Sequence, residues 1–250
     1  MTMVTFAGGT GALLAARLDR PAGDVKAYAL FAHCFTCTKD VFAASRIAAR
    51  LTAHGIAVLR FDFTGLGESE GDFANTNFSS NVQDLIAAAD FMRAELAAPK
   101  LIIGHSLGGS AILAAARHVE EARAVVTIGA PADVAHVVHT FGDDIDRIRS
   151  DGEVELRLVG RPFTIRRQFV EDVEATRIEH DVATLRKALL VLHAPRDQTV
   201  GIENALQIFT WARHPKSYVS LDDADHLLSR RQDAFYAADV IATWSSRYIA

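Results

Sequence analysis

The stretch Leu101-Ile102-Ile103-Gly104-His105-Ser106-Leu107-Gly108-Gly109-Ser110, LIIGHSLGGS, decides how the rest of the chain is read. The apolar run Leu101–Ile103 is too short for a helix and predicts a buried strand, while Gly108–Val119 predicts a helix. Between them a serine stands in a G-x-S-x-G setting, and this strand-before, helix-after context marks a nucleophile elbow. So tight a turn tolerates little side chain on its neighbours, which explains Gly104 and Gly108 on either side and small residues behind. The turn lifts the Ser106 hydroxyl above the sheet. It also leaves the Leu107 amide at a helix N-terminus, where it can meet a developing oxyanion.

A serine hydroxyl is a weak nucleophile without a base. In folds that carry this elbow, an acid and then a histidine follow the serine, each after a late strand. The run Leu189–His193 is followed by APRDQ, which puts Asp197 at a strand end. Tyr218–Leu221 is followed by DDADH, which puts His226 in the next strand-end loop. Ser106, Asp197 and His226 are therefore the candidate catalytic residues: His226 as base, Asp197 fixing its tautomer. Asp222, Asp223 and Asp225 are too near His226 in sequence to reach its far nitrogen easily. His105 lies inside the elbow and is expected to pack beneath it. His136 and His139 stand at helical spacing, but no third ligand follows at a firm interval, so no metal or other cofactor is called for.

Apolar runs alternate with amphipathic segments along the remaining chain. Val25–Ala32, Ile56–Phe61 and Val125–Ile128 read as further buried strands. Asp40–Ala53, Asn81–Leu96, Gly201–Ala212 and Gln232–Tyr248 read as helices. The pattern predicts an α/β fold over residues 1–250, a mostly parallel sheet with helices on both faces. Residues 1–20 predict a hairpin turning at Gly8-Gly9-Thr10-Gly11; a phosphate loop would need a third glycine where Leu14 stands. Residues 131–186 exceed what one crossover helix needs. They hold a helical stretch and two alternating strands, EVELRLV and PFTIRRQF, hinged near Gly160, and predict a small cap.

The second oxyanion donor is expected after the first of these strands, in Phe31-Ala32-His33-Cys34-Phe35-Thr36-Cys37. There His33 anchors the loop and the Phe35 amide faces that of Leu107. Both cysteines of the chain lie in this loop. A C-x-x-C redox role, with Cys34 attacking and Cys37 resolving, is the competing reading; a zinc site would want a second cysteine pair. Phe35 and Phe163 are the proposed substrate contacts.

Composition sets the outer bounds. The chain of 250 residues is 50% hydrophobic and 23% charged, with a formal net charge of −5 and interspersed signs. That excludes a basic nucleic-acid footprint. No run approaches the length of a membrane span. No positive charge precedes Arg17, so a secretory signal is not expected and the cytoplasm is the default location.

With these residues placed, the chain resembles the α/β-hydrolase superfamily over nearly its whole length, through GHSLGG, RFDFTGLGESEG, HAPRDQTV and DADHLLS. Through AHCFTCTKD and GRPFTIRRQFVEDV it is similar to the hydrolase half of bacterial fusions with an OsmC-type peroxide-reducing domain. That second domain has no counterpart here, so either a stand-alone relative or the first domain of such a fusion is expected. The usual His-Gly of the superfamily's oxyanion loop is replaced by His33-Cys34. The resemblance implies hydrolysis of carboxylic esters through an acyl-serine, and the small size of the cap over residues 131–186 adds the expectation of small-molecule esters with short acyl chains. A thioesterase or acyltransferase would use the same triad. A redox module or a silent binding protein are the other classes considered.

Overall fold

The structure is a computed structural model that describes residues 1–158 and 160–249. An eight-stranded sheet forms its centre. The strands are β1 (Thr2–Ala7), β2 (Leu13–Asp19), β3 (Ala27–Ala32), β4 (Ile56–Phe61), β5 (Leu101–His105), β6 (Ala124–Ile128), β9 (Ala188–His193) and β10 (Lys216–Ser220). Their order is β1-β2-β4-β3-β5-β6-β9-β10. The last six of that list run parallel, while the β1–β2 hairpin joins β4 antiparallel. The expected hairpin is thus part of the main sheet. Its turn closes by a hydrogen bond from the Gly11 amide to the Gly8 carbonyl.

Buried parallel strands need apolar residues on both faces, and β4, β5, β6 and β9 are buried at every position. Helices α1 (Phe42–Ala53) and α8 (Arg231–Ile249) pack on one face. Helices α2 (Phe78–Glu95), α3 (Leu107–Ala115) and α7 (Glu203–Trp211) pack on the other. The apolar pattern placed the start of α2 at Asn81. The helix begins at Phe78, because Asn77 caps it: its side chain accepts from the Ser80 amide and the Ser80 hydroxyl accepts from the Asn77 amide.

The insertion after β6 holds a 3-10 helix (Val134–Phe141), α4 (Asp144–Asp151), a hairpin of β7 (Glu153–Leu158) and β8 (Arg161–Arg166), then α5 (Arg167–Ala175) and α6 (Glu179–Ala183). Val159, read from sequence as the end of the first cap strand, lies outside the described residues, as does Ala250. Alternation in the hairpin is as expected: Val154, Leu156 and Ile165 face inward, Glu153 and Glu155 outward. No helix of the described residues is long and apolar enough to cross a membrane.

One feature of the sheet positions the site. The order in which parallel strands are added reverses at β3, with β4 on one side and β5 on the other, so loops after β3 and β5 diverge to leave a crevice at the strand ends. The register pairs Ala32 with Gly104, which sets the His33 loop beside the elbow. Beneath that loop the Lys39 ammonium meets Asp62 at 2.7 Å, with side-chain exposures of 2% and 0%. Asp62 also accepts the Lys39 and Glu68 amides, and the Lys39 carbonyl accepts from the buried Arg60 guanidinium. Lys39 Nζ also reaches the exposed Glu68 carboxylate at 2.5 Å, so loss of Asp62 leaves the ammonium one partner and costs less than a fully broken buried pair, about 3–5 kcal/mol. Asp62→Ala is expected to lower unfolding free energy by about 1–3 kcal/mol, the cost of leaving buried donors without their acceptor. Urea denaturation checks this; a loss under about 1 kcal/mol would mean that Glu68 and water replace the carboxylate.

Candidate active site

Ser106 is the pivot between β5 and α3. Its backbone lies at φ 55°, ψ −130°, a conformation that side chains avoid and that only tight surroundings maintain. Those surroundings are glycines. A β-carbon on Gly104 would come within 2.3 Å of the Gly108 carbonyl, and one on Gly108 within 2.3 Å of the His33 carbonyl. The Ser106 hydroxyl lies 2.9 Å from His226 Nε2, and His226 Nδ1 lies 2.7 Å from Asp197 Oδ2. The loops after β5, β9 and β10 thus join the three residues in one hydrogen-bonded chain.

Asp197 is well held. Its other oxygen accepts the amides of Thr199 and Val200 at 2.8 and 2.9 Å. Burial alone would raise its pKa; the His226 hydrogen bond and these amides outweigh that and hold the carboxyl below its ordinary value. The Asp197 carboxylate therefore stays ionised beside the imidazole. Gly129, at φ 56°, leaves only contact distance to Asp197 and His226. His193, buried at the end of β9, is bonded to the Val200 carbonyl at 2.8 Å and shores up the same turn.

His105 lies under the elbow, its Nε2 donating to the His226 carbonyl at 2.7 Å. Complete burial, with His226 nearby, pushes its pKa down to about 4, so it is neutral at ordinary pH. His33 is buried too, and burial lowers its pKa. Its Nδ1 donates to the Cys34 carbonyl at 2.8 Å. The Cys34 carbonyl also accepts the Cys37 amide, 3.1 Å away, closing a turn over residues 34–37. Cys34 and Cys37 are joined by a disulfide across that turn, with Cα atoms 5.3 Å apart. The bonded pair is the oxidised form of a C-x-x-C dithiol, the state that attack by Cys34 and resolution by Cys37 would leave.

The amides of Phe35 and Leu107 make no protein hydrogen bond among the described residues, and both residues line the cavity that opens over Ser106. That cavity measures about 480 Å³ and is walled mostly by apolar side chains, among them Val41, Val137, Leu158, Val200 and Leu227. Phe163, expected from sequence to line it, packs its ring against Phe73 at 5.0 Å, away from the cavity wall. The Phe35 ring stacks among Phe73, Phe141 and Phe169. His136, at the rim, is bonded to the Thr199 carbonyl, and no group of three or more potential metal ligands exists among the described residues.

The sheet, the elbow and the serine–histidine–aspartate chain define a class, and the chain belongs to it: residues 29–243 match the Alpha/beta hydrolase family. The crystal structure of the esterase domain of a Rhodothermus marinus protein is similar at 50% identity and TM-score 0.81, covering 100% of this chain and 99% of that one. Est1E from Butyrivibrio proteoclasticus with bound ferulic acid shares the fold at 20% identity and TM-score 0.86, over 98% and 99% of the two chains. Among curated proteins, the mitochondrial palmitoyl-protein thioesterase ABHD10 of Mus musculus is 27% identical over 186 residues, 72% of this chain and 62% of the mouse protein. The match thus spans less than two thirds of that relative's length.

Neutral His105 generates a pH dependence. Its pKa lies near 4 when folded against 6.5 as the ordinary value, so between those values the unfolded chain binds the extra proton. Stability contributed by its burial is complete above pH 6.5 and is lost as pH falls toward 4, by about 3 kcal/mol. Urea unfolding of His105→Gln across that range is expected to show a flatter pH profile than the wild type; parallel profiles would mean that His105 does not titrate this way.

Proposed function

We propose that the protein is a serine esterase that cleaves carboxylic esters of short acyl chains through an acyl-serine intermediate. The observation that carries this reading is the unbroken Ser106–His226–Asp197 chain at the floor of a cavity, with two unpartnered amides beside it. Ser106 Oγ attacks the ester carbonyl while His226 Nε2 takes its proton. The carbonyl oxygen becomes an oxyanion held by the amides of Phe35 and Leu107, and His226 returns the proton to the departing alcohol. Water, deprotonated by His226, then attacks the acyl-serine and releases the acid. Asp197 keeps the imidazole proton on Nδ1 and stabilises the imidazolium.

Support for an ester substrate comes from the Rhodothermus marinus chain, which is described as an esterase domain and is half identical to this one. A thioester substrate is the second reading, favoured by the thioesterase name of the curated relatives. The same residues serve both, since only the leaving group changes. The cytoplasm is the location we assign, and its thiol pools would tend to open the Cys34–Cys37 bond.

Ser106→Ala is expected to cost on the order of 10⁶ in kcat with the fold intact. The measurement is kcat/KM over nitrophenyl esters from acetyl to dodecanoyl, alongside S-acyl thioesters. Each buried methylene contributes about 0.8 kcal/mol until the chain outgrows the site; the small size of the cap is the ground for expecting a maximum between acetyl and hexanoyl. A profile climbing to dodecanoyl would overturn the short-chain reading, and a thioester preferred at every length would favour the second reading; residual turnover in the alanine variant would point to another nucleophile.

The sulfurs themselves are assigned no chemistry. Removing an oxyanion donor outright costs about 10² to 10³ in kcat, and loosening its turn costs less. Cys34→Ala combined with Cys37→Ala is therefore expected to keep esterase activity within about tenfold. A loss as deep as that of Ser106→Ala in a folded protein would mean that turnover needs the sulfurs.

A further inference from the structure

The cap reaches the oxyanion loop through one side chain. Arg161, at the start of β8, donates from Nη2 to the Thr36 carbonyl at 2.6 Å, across 125 positions of sequence. Its guanidinium also lies 5.4 Å over the Phe163 ring. Among the described residues it makes no ion pair, so its charge is directed at that carbonyl.

What the carbonyl does next is set by peptide geometry. In a trans peptide the C=O and the following N–H point in opposite directions. The Thr36 carbonyl shares a peptide with the Cys37 amide, which donates to the Cys34 carbonyl. The Cys34 carbonyl in turn shares a peptide with the Phe35 amide. A single line therefore runs from guanidinium to Thr36 carbonyl, Cys37 amide, Cys34 carbonyl and Phe35 amide. Donors pull both carbonyls inward: Arg161 on one, Cys37 and His33 on the other. The Phe35 N–H is left pointing away from them. The turn needs this hold, because Thr36, a β-branched residue, sits at φ 58° in the left-handed region. Hydrogen bonds in series also polarise one another, and a charged first donor strengthens the line.

We propose that Arg161 is a positioning residue of the esterase, acting through the peptides 36–37 and 34–35 to orient and polarise the Phe35 amide toward the oxyanion. This couples the cap to the stabilisation of the transition state and not to substrate binding. It rests on the esterase reading and on Phe35 as a donor.

The experiment compares wild type, Arg161→Gln and Arg161→Lys on a nitrophenyl ester, with Ser106→Ala as the check that turnover belongs to this site. Arg161→Gln is expected to lower kcat about 10- to 100-fold, less than or equal to the loss of the donor itself, with KM changed less than about threefold. Arg161→Lys, which keeps a charged donor, is expected to recover part of the loss. Affinity for a trifluoromethyl ketone, which forms an oxyanion on the serine, should fall in step with kcat/KM. Inhibition by the alcohol product should not change. The proposal is overturned if kcat stays within twofold, if the loss appears in KM alone, or if trifluoromethyl ketone affinity is unaltered. It is overturned too if both variants lose the folded cap by thermal melting and circular dichroism, which would make Arg161 structural. Absence of turnover in wild type, or turnover that survives in Ser106→Ala, sinks the esterase reading itself, an outcome distinct from any of these.

Discussion

The site depends on how closely the start of α3 approaches the loop after β3. At Gly108 there is no room for a side chain between the helix and the carbonyls of Ala32 and His33, and at Gly109 a β-carbon would come within 2.6 Å of Ala130. Three backbones meet there: the elbow, the His33 loop and the segment after β6. Their contact leaves the Ser106 backbone no relaxed alternative, so a conformation that costs about 1–3 kcal/mol is maintained by packing. The same contact sets the Leu107 amide at the helix N-terminus beside the loop that carries Phe35. Ser106 and the two amides proposed as oxyanion donors are therefore parts of one packing arrangement, rigid because it is made of backbone.

Much of this was legible in the sequence. The parallel strands are continuous apolar runs, and the three candidate catalytic residues stand at strand ends in an order that follows from the elbow. The edges were less so. β10 was read as Tyr218–Leu221 and runs Lys216–Ser220, because an edge strand half in water needs no apolar run to declare it. The capping pair of Asn77 and Ser80 stands in the sequence just ahead of the apolar periodicity at Asn81, and periodicity alone places the helix start too late.

What sequence did not disclose are contacts between residues far apart in the chain. Nothing in EVELRLVGRPF says that Arg161 reaches Thr36, or that the alternation turning Phe163 inward sends it to Phe73 and not to the cavity. The Lys39–Asp62 pair was equally silent, since charged residues in a loop ordinarily signal solvent, and here both are buried. His193 supports the Asp197 turn from within a strand whose apolar composition gave it no functional mark. Each of these residues acts by holding another, and such roles are written in three dimensions only.

The His33–Asp40 loop gathers these contacts and is held by three different kinds of force. A covalent bond closes the 34–37 turn, a buried ion pair grips Lys39 from below, and a charged hydrogen bond from the cap fixes the Thr36 carbonyl. They differ in what disturbs them. The disulfide answers to reductants, and the cap contact, being part-exposed, is open to water and salt. The buried pair is screened from both. A loop that had to move during turnover would not be tied from three sides. The arrangement instead suits one that must stay still, because an oxyanion donor acts only by being in place before charge develops, and the cost of ordering it has already been met in folding. The variable part of the site is then the cavity wall contributed by the cap, where Val137 and Leu158 line the space over Ser106. Specificity can change there by side-chain replacement while the geometry around Ser106 is left alone.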